Sequence, residues 1–565
     1  MSDQWLPSEH GSERGVLQGR VARGLTWTLI DTWGTQILGL IVFVILANRL
    51  LPDDFGLVAL AAVFVAFAQL LVDQGLGDAL IQRQAVTRSQ IDTAFWVAVV
   101  TGVLLTVVGF IFAGPIATAL GEPRLEQILQ TLSLTFVLAA FTSIQVALLR
   151  REMRFKSLAI RKLAAVGGGG IVGIAMAFWG YGAWALVGQQ LASAAISVLM
   201  LWTVSPWRPG LQLSLDDFRS LFSFGIHVVG GDILSFLSRN VDNLLIGAYL
   251  GLTPLGFYAV GYRILDTSQQ LLVNFARRLA FPIFARLQGD PNRLRRAYAR
   301  LTGAISVVIL PGYIGLALVA QEAIVVLFGE RWAPSAPVAA ILFLIGPVLT
   351  VQLVAGALMN GVGHPEITFR IRLVSTVVNV AGFFVALALF RDIVAMAGAF
   401  VVRGYIVMPL VLLWVRRYGH IPLRDQLSHV RSPLLATAVM AVAIIAVKFV
   451  LLGRVPSAAL LVTELLVGAA SFVSALILVD RALVREVSSV ALQAVPGGRS
   501  VARRLGMQLP PASRRGSGRG RDRRRRESAL DANISAEETA TAGTSVAADS
   551  ATIVATPKDE VLGDV

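Results

Sequence analysis

The sequence contains no cysteine, only five histidines and few charges. Without a thiol there is no disulfide, no thiolate nucleophile and no cysteine-bound metal. His10, His227, His364, His420 and His429 are scattered and form no H-E-x-x-H pattern, so neither a metal nor another cofactor is expected. A Walker-type phosphate loop is missing too. The run Gly167 to Gly170 follows no strand and precedes no Gly-Lys-Ser/Thr, which excludes ATP as a direct drive within the chain. Gly169 and Gly173 have the small-xxx-small spacing of closely packed membrane helices. Charged residues make up only 15% of the 565, against about 25% in soluble domains.

What the sequence does contain is hydrocarbon: 55% of its residues are hydrophobic and the mean hydropathy is +0.70. Apolar windows of about 20 residues recur from Leu25 to Val479, the length a helix needs to cross about 30 Å of lipid. These windows predict an all-α integral membrane protein with about fourteen spans: 25–48, 56–77, 94–117, 127–149, 158–179, 184–204, 222–250, 255–283, 301–328, 336–360, 368–390, 393–415, 433–452 and 457–478. Basic residues precede the first apolar run, as in a signal peptide. That run is too long for a signal h-region and no small-residue cleavage site follows, so it reads as the first span.

Loop charge gives the orientation, because cytoplasmic loops carry excess Lys and Arg. Arg150, Arg151, Arg154, Lys156, Arg161 and Lys162 follow span 4. Arg286, Arg293, Arg295, Arg296 and Arg300 follow span 8. Arg416, Arg417, Arg424 and Arg431 follow span 12. Loops after odd-numbered spans hold at most one basic residue each: Arg49, Arg124, Arg331, Arg391 or Arg454. Both termini are therefore expected in the cytoplasm, with 1–24 as a cytoplasmic N-terminal segment.

A faint repeat divides the spans. Leu51-Pro52-Asp53-Asp54-Phe55-Gly56-Leu57-Val58-Ala59 follows span 1, and Leu252-Thr253-Pro254-Leu255-Gly256-Phe257-Tyr258-Ala259 follows span 7. Gly56 and Ala59 thereby match Gly256 and Ala259 at an offset of 200 residues, and Asp31 matches Asp232. Six spans per repeat leave both copies pointing the same way, with a site expected between them. The expected organisation is an N-lobe (25–204), a cytoplasmic linker (205–221), a C-lobe (222–415) and two further helices (416–480). The tail, 481–565, opens with a short amphipathic segment to Val495. It then runs basic, with Arg523 to Arg526 consecutive, and afterwards acidic, a composition that does not fold alone. Its basic stretch suits anionic lipid head groups or nonspecific RNA contact. A merely solvated tail explains it as well, and no specific nucleic-acid partner is expected.

Charges inside membrane helices are costly and usually face a cavity or a partner. Span 7 carries Asp232, Ser235, Arg239, Asp242 and Asn243 on one face. Span 8 carries Arg263, Asp266, Gln270, Asn274 and Arg277 on one face, over about 21 Å. Thr28, Asp31 and Thr35 in span 1, Asp73 in span 2 and Arg403 in span 12 extend the stripe. Such a stripe describes the wall of a water-filled cavity. Local ion pairing at i,i+3, Arg239 with Asp242 and Arg263 with Asp266, is the competing explanation. Arg239, Arg263 and Arg403 are the candidate ligands for an anionic substrate. Asp31, Asp232, Asp242 and Asp266 are candidates for a Na⁺ or H⁺ coupling ion.

Several stretches, in this order and spacing, resemble the polysaccharide exporters, the O-antigen and exopolysaccharide flippases of the multidrug/oligosaccharidyl-lipid/polysaccharide superfamily. They are Asn48 to Gly56, Gln74-Gly75-Leu76-Gly77 with Ile81-Gln82-Arg83, and Leu149 to Lys156. Gly180 to Ala185, Trp207-Arg208-Pro209 and Leu327 to Trp332 complete the set. The resemblance covers roughly Arg20 to Arg417 and leaves out the Arg-rich tail. It implies two six-helix lobes around a central cavity, two extra C-terminal helices, and alternating access without covalent catalysis. It also implies an undecaprenyl-pyrophosphate-linked oligosaccharide as substrate, in a bacterial plasma membrane. Membrane lipids, a polysaccharide polymerase and glycosyltransferases would be its partners. A lipid II flippase and a cation-coupled multidrug exporter are the rivals within the superfamily. A membrane polysaccharide polymerase or ligase is the rival of another class, although every outer loop here is short.

Overall fold

A computed structural model describes residue 27 and residues 30–73, 76–83, 85–273 and 283–494. All regular structure among them is helical. The first seven helices are α1 (Thr35–Arg49), entered through a π-type turn at Ile30–Gly34, α2 (Pro52–Asp73), α3 (Leu76–Gln82), α4 (Arg88–Ala119), α5 (Arg124–Arg151), α6 (Phe155–Phe178) and α7 (Ala183–Val204). Next come α8 (Leu215–Tyr249), α9 (Leu252–Ser268) with a π-type turn Gln269–Val273, α10 (Pro291–Leu318), α11 (Ala320–Phe328), α12 (Ser335–Phe343), α13 (Gly346–Gly361), α14 (Pro365–Phe390), α15 (Ile393–Gly419), α16 (Leu423–Leu451), α17 (Ser457–Val479) and α18 (Arg481–Ala494).

Eleven of these helices are long and apolar enough to cross a membrane, and the pair α12–α13, bent by 43°, makes a twelfth span. α8 and α9 are not among these twelve, α9 having only 17 residues; as further spans they would bring the total to fourteen. Rows of apolar side chains face outward, among them Val100, Leu104, Ile111 and Phe112 on α4, Val442 and Phe449 on α16, and Leu466 and Leu478 on α17. Such surface is stable against lipid tails and would aggregate in water. Polar backbone is satisfied inside each helix, as a hydrocarbon solvent demands.

Side chains at the helix starts explain the local boundaries. Thr87 and Gln90 form a capping box that opens α4, each side chain meeting the other's backbone N–H at 3.3 Å. Ser214 accepts from the Asp217 N–H at 3.2 Å to open α8, and Asp290 accepts from the Arg293 N–H at 3.0 Å to open α10. The start of α8 at Leu215 shortens the expected linker to 205–214. That linker lies on α4: Trp96 donates to the Gly210 carbonyl at 2.7 Å, and Phe95 packs edge-on against Trp207 at 5.3 Å. The ninth expected span is likewise interrupted, at Val319 between α10 and α11.

The glycines of α6 are contact points, as their spacing suggests. A Cβ on Gly169 would lie 1.9 Å from Ser193 Oγ and 2.6 Å from the Gln189 carbonyl oxygen. One on Gly173 would lie 2.8 Å from the Gln189 Cβ. The backbones of α6 and α7 therefore approach through these two positions. The part of the chain after Val495 lies outside the described residues.

Candidate functional site

The stretches Asn48 to Gly56, Gly180 to Ala185 and Leu327 to Trp332 converge at one end of the helices, together with the second copy of the repeat. Asp54 accepts from the Leu51 N–H and from the Ala183 N–H, both at 3.0 Å, tying the start of α2 to the start of α7. Asp53 pairs with Arg124 at 2.6 Å and lies 3.5 Å from the Thr253 hydroxyl. Trp332, fully buried, donates to the Ala47 carbonyl at 2.8 Å, and Asn48 donates to the Leu327 carbonyl at 2.9 Å. Edge-on rings of Phe55 and Phe257 flank Trp332 at 5.2 and 6.0 Å. The starts of α2 and α9 cross with their backbones in contact. A Cβ on Gly56 would lie 1.8 Å from the Leu252 oxygen, and one on Gly256 would lie 1.9 Å from the Pro52 oxygen. This assembly forms a latch between the first six expected spans and the next six.

Beneath the latch is a cavity of about 680 Å³. Phe43 and Phe55 line its latched end, and α1, α2, α5, α6 and α7 supply most of the wall. Gln36, Gln69, Gln189, Gln190, Ser193 and Ser197 turn amides and hydroxyls into it. Arg263 of α9 is the one charged residue among its described lining. The position of Arg263, eleven residues into α9, puts it roughly 16 Å from the latched end. Its guanidinium lies 5.7 Å from the Phe43 ring centroid, across from Gly39, and its Nε is buried without a partner. Amides and hydroxyls can exchange hydrogen bonds with sugar hydroxyls. A guanidinium is a planar donor for phosphate oxygens that keeps its charge when buried.

A second cavity, of about 480 Å³, lies among α8, α13, α14 and α15. Arg239, Arg372 and Arg403 share it with Gln352, Asn360 and Thr368. Arg372 donates to the Ser235 hydroxyl at 3.1 Å. Arg403 stacks on Phe400 at 4.4 Å, and its Nε and the Gln352 Nε2 are buried without partners. Three guanidiniums in one partly buried space make an anion-attracting field.

The three candidate arginines are thus divided, Arg263 in the first cavity and Arg239 with Arg403 in the second. Arg372, absent from the sequence-based candidates, joins the latter pair. The i,i+3 ion pairs are not formed. Asp242, 1% exposed, accepts from the Tyr258 hydroxyl of α9 at 2.7 Å instead of meeting Arg239, and its other oxygen takes the Asn243 N–H at 2.9 Å. Turning Asp242 toward α9 carries it away from its own helix neighbour. Arg263 points toward α1, away from Asp266 on its own helix. Among the candidate coupling residues, Asp31 lies 3.8 Å from the Lys162 ammonium. Asp266 lines neither cavity. The side chains of Asp232 and Asp73, and Thr28, Asn274 and Arg277 altogether, lie outside the described residues. No group of three or more His, Asp or Glu among the described residues could hold a metal.

The remaining family-like stretches also have structural roles. Arg151 donates to the Leu80 and Arg83 carbonyls at 2.7 and 2.5 Å, capping the end of α3. Arg208 donates to the Ser205 carbonyl at 2.6 Å and fixes the linker.

Comparison with known proteins agrees with this architecture. The chain is 28% identical over 481 residues to the succinoglycan biosynthesis transport protein ExoT of Rhizobium meliloti (strain 1021), covering 83% of this chain and 95% of that one. It is 27% identical to the lipopolysaccharide biosynthesis protein WzxC of Escherichia coli (strain K12), over 64% of this chain and 74% of the relative. Identity to the teichuronic acid biosynthesis protein TuaB of Bacillus subtilis (strain 168) is also 27%, over 62% and 73%. Among solved structures, the lipid II flippase MurJ in an inward closed conformation superposes with a TM-score of 0.69 over 81% of this chain, at 13% identity. An inward-facing MATE-family transporter of the MOP superfamily superposes with a TM-score of 0.54 over 68%, at 16% identity. The fold is therefore that of a MurJ/MATE-like membrane transporter. The polysaccharide biosynthesis protein family model matches residues 45–337, more than half of the chain, and the chain belongs to that family.

Proposed function

We propose that the protein flips an undecaprenyl-pyrophosphate-linked oligosaccharide across a bacterial plasma membrane by alternating access, without covalent catalysis. One observation carries the reading: a cavity lined with amides and hydroxyls, with Arg263 the one guanidinium among its described lining, lies beneath a polar latch. The glycan would exchange hydrogen bonds with Gln36, Gln69, Gln189 and Gln190. Arg263 would meet the pyrophosphate, with Arg239, Arg372 and Arg403 as a second anion station. A phosphate charge about 4 Å from a guanidinium gains about 4 kcal/mol at an effective dielectric of 20, against about 1 in water. The loops on the latched side carry single arginines, so this is the outer face, and both termini are cytoplasmic. The two lobes would rock about the glycine crossing, with 416–480 as accessory helices and the tail as a solvated or lipid-touching extension.

A polysaccharide polymerase and glycosyltransferases are the expected partners. The names of the relatives, which cite succinoglycan, lipopolysaccharide and teichuronic acid, support a surface-polysaccharide substrate over lipid II or a drug. Any coupling ion would be Na⁺ or H⁺, with Asp31, Asp232, Asp242 and Asp266 as the candidate carboxylates. The test is reconstitution in liposomes containing the lipid-linked oligosaccharide on one side. Appearance of the glycan on the other face, without ATP, is expected. Equal movement of lipid II or of cationic dyes would point to the rival functions.

A further inference from the structure

Away from both cavities, α11, α16 and α17 bring three ionisable side chains together, two carboxylates that are buried and a partly exposed lysine. Glu322 stands in the first turn of α11 and is 3% exposed; Glu464 lies on the inward stripe of α17 and is 0% exposed. Lys448, three residues before the end of α16, donates to Glu322 Oε2 at 2.9 Å and to the Leu318 carbonyl at 3.0 Å. The carbonyl of Leu318 is free because the helix breaks there, and a cation suits such a helix end. The ammonium is thus committed to Glu322 and to the break. Both oxygens of Glu464 are buried with no hydrogen-bond partner.

One ammonium and two carboxylates leave a net negative charge in a membrane interior, and a buried carboxylate without a partner is costly. Something of charge +1 must meet it. Leu460 and Gly468 precede and follow Glu464 on the same stripe, and Gly468 packs on Met440 and Ile444 of α16. These neighbours are hydrocarbon and offer none of the six or so oxygens that hard cations collect. A proton needs one carboxylate oxygen and no other ligand. No other ionisable residue stands on α17. On α10, Tyr313 is buried, and the other ionisable groups of α10 and α16 lie toward their opposite ends.

We propose that Glu464, backed by the Glu322–Lys448 pair, is a proton-binding site at the junction of α11, α16 and α17. Proton binding converts the carboxylate to a carboxylic acid and removes the net charge; proton release restores it. The site is independent of the substrate reading, because its ligand and its test involve no glycan. α11 links it to the latch, since Glu322 lies in the first turn of that short helix and Trp332 follows its end.

Infrared difference spectroscopy on the purified full-length protein in lipid nanodiscs, stepped between acid and alkaline pH, tests this directly. The expected result is a protonated-carboxyl carbonyl band that appears on acidification, is insensitive to added Na⁺ at fixed pH, and is missing in Glu464→Gln. If that variant is not monodisperse, Glu464→Asp keeps the acid and must shift the band. The proposal is overturned if the band is unchanged in Glu464→Gln or Glu464→Asp. It is equally overturned if the wild-type spectrum responds to Na⁺ at fixed pH and not to protons.

Discussion

Gly56 of α2 and Gly256 of α9 pack reciprocally. The Cβ each lacks would collide with a backbone carbonyl of the other's helix, Leu252 for Gly56 and Pro52 for Gly256. Leu252 and Pro52 are themselves 200 residues apart, like the two glycines and like Thr253 and Asp53, which approach at 3.5 Å. A pseudo-twofold axis passes through this crossing, and the internal repeat exists there as physical contact.

Because backbone cannot yield as a side chain can, Gly56→Ala and Gly256→Ala should each destabilise the protein by about 1–3 kcal/mol through overpacking. Gly398→Ala, where a new Cβ would touch nothing within 4 Å, should be neutral or stabilising by up to about 1 kcal/mol. Thermal unfolding in detergent, followed by size-exclusion fluorescence, ranks the three. Equal melting of Gly56→Ala and Gly398→Ala would remove the crossing from the account.

Arg263→Gln should lower glycan translocation by roughly tenfold or more, since losing one partner of a buried charge contact costs about 2–5 kcal/mol. Protein abundance should hold, because no carboxylate among the described residues forms an ion pair with Arg263. Arg263→Lys should be milder, retaining charge without the fork. Parallel measurement of protein level and flipped substrate distinguishes a ligand from a structural residue; a matched fall in both would mark Arg263 as structural.

Asp242 belongs with Tyr258, so the pairing of substitutions should follow space and not helix spacing. Asp242→Asn and Tyr258→Phe should be non-additive by about 0.5–3 kcal/mol, whereas Asp242→Asn and Arg239→Gln should add within about 0.5 kcal/mol. Double-mutant cycles on thermal stability give both numbers. Rescue of Arg239→Gln by Asp242→Asn would restore the local ion pair that the structure lacks.

Truncation after Val495 should leave insertion and export intact, since the tail lies outside the family-like region. Complementation of an exporter-deficient strain by the truncated chain checks it, with complete loss of export at normal protein level as the contrary result.

Hydropathy placed eleven spans, or twelve with the bent pair α12–α13, because a lipid solvent demands the same apolar run from every crossing helix. The breaks at Val319 and at Leu344–Ile345 stayed hidden because a change of direction leaves hydropathy untouched. The latch was half legible. The stretches around Asp53, Asp54, Gly56 and Trp332 stood out in the sequence, but that they meet one another was not. Arg239 and Arg403 were visible as charges in apolar helices. Arg372, inside the expected span 368–390 and close to its start, was not singled out. Arg263 and Asp266 stand at pairing distance along the chain, yet tertiary packing turns Arg263 to α1. Glu464 escaped notice because it is a single carboxylate in an apolar run, and the pair beside it, Glu322 with Lys448, joins residues 126 positions apart.

The central claim is that the latch must open for substrate to cross. The cysteine-free chain allows a direct measurement with Asp53→Cys and Thr253→Cys, made together in the otherwise native sequence. Oxidation should join the two residues across the pseudo-twofold axis and stop glycan translocation in liposomes. Reduction should restore the rate of the uncross-linked double variant. If the fully cross-linked protein flips its substrate as fast as the reduced one, alternating access through this latch is contradicted.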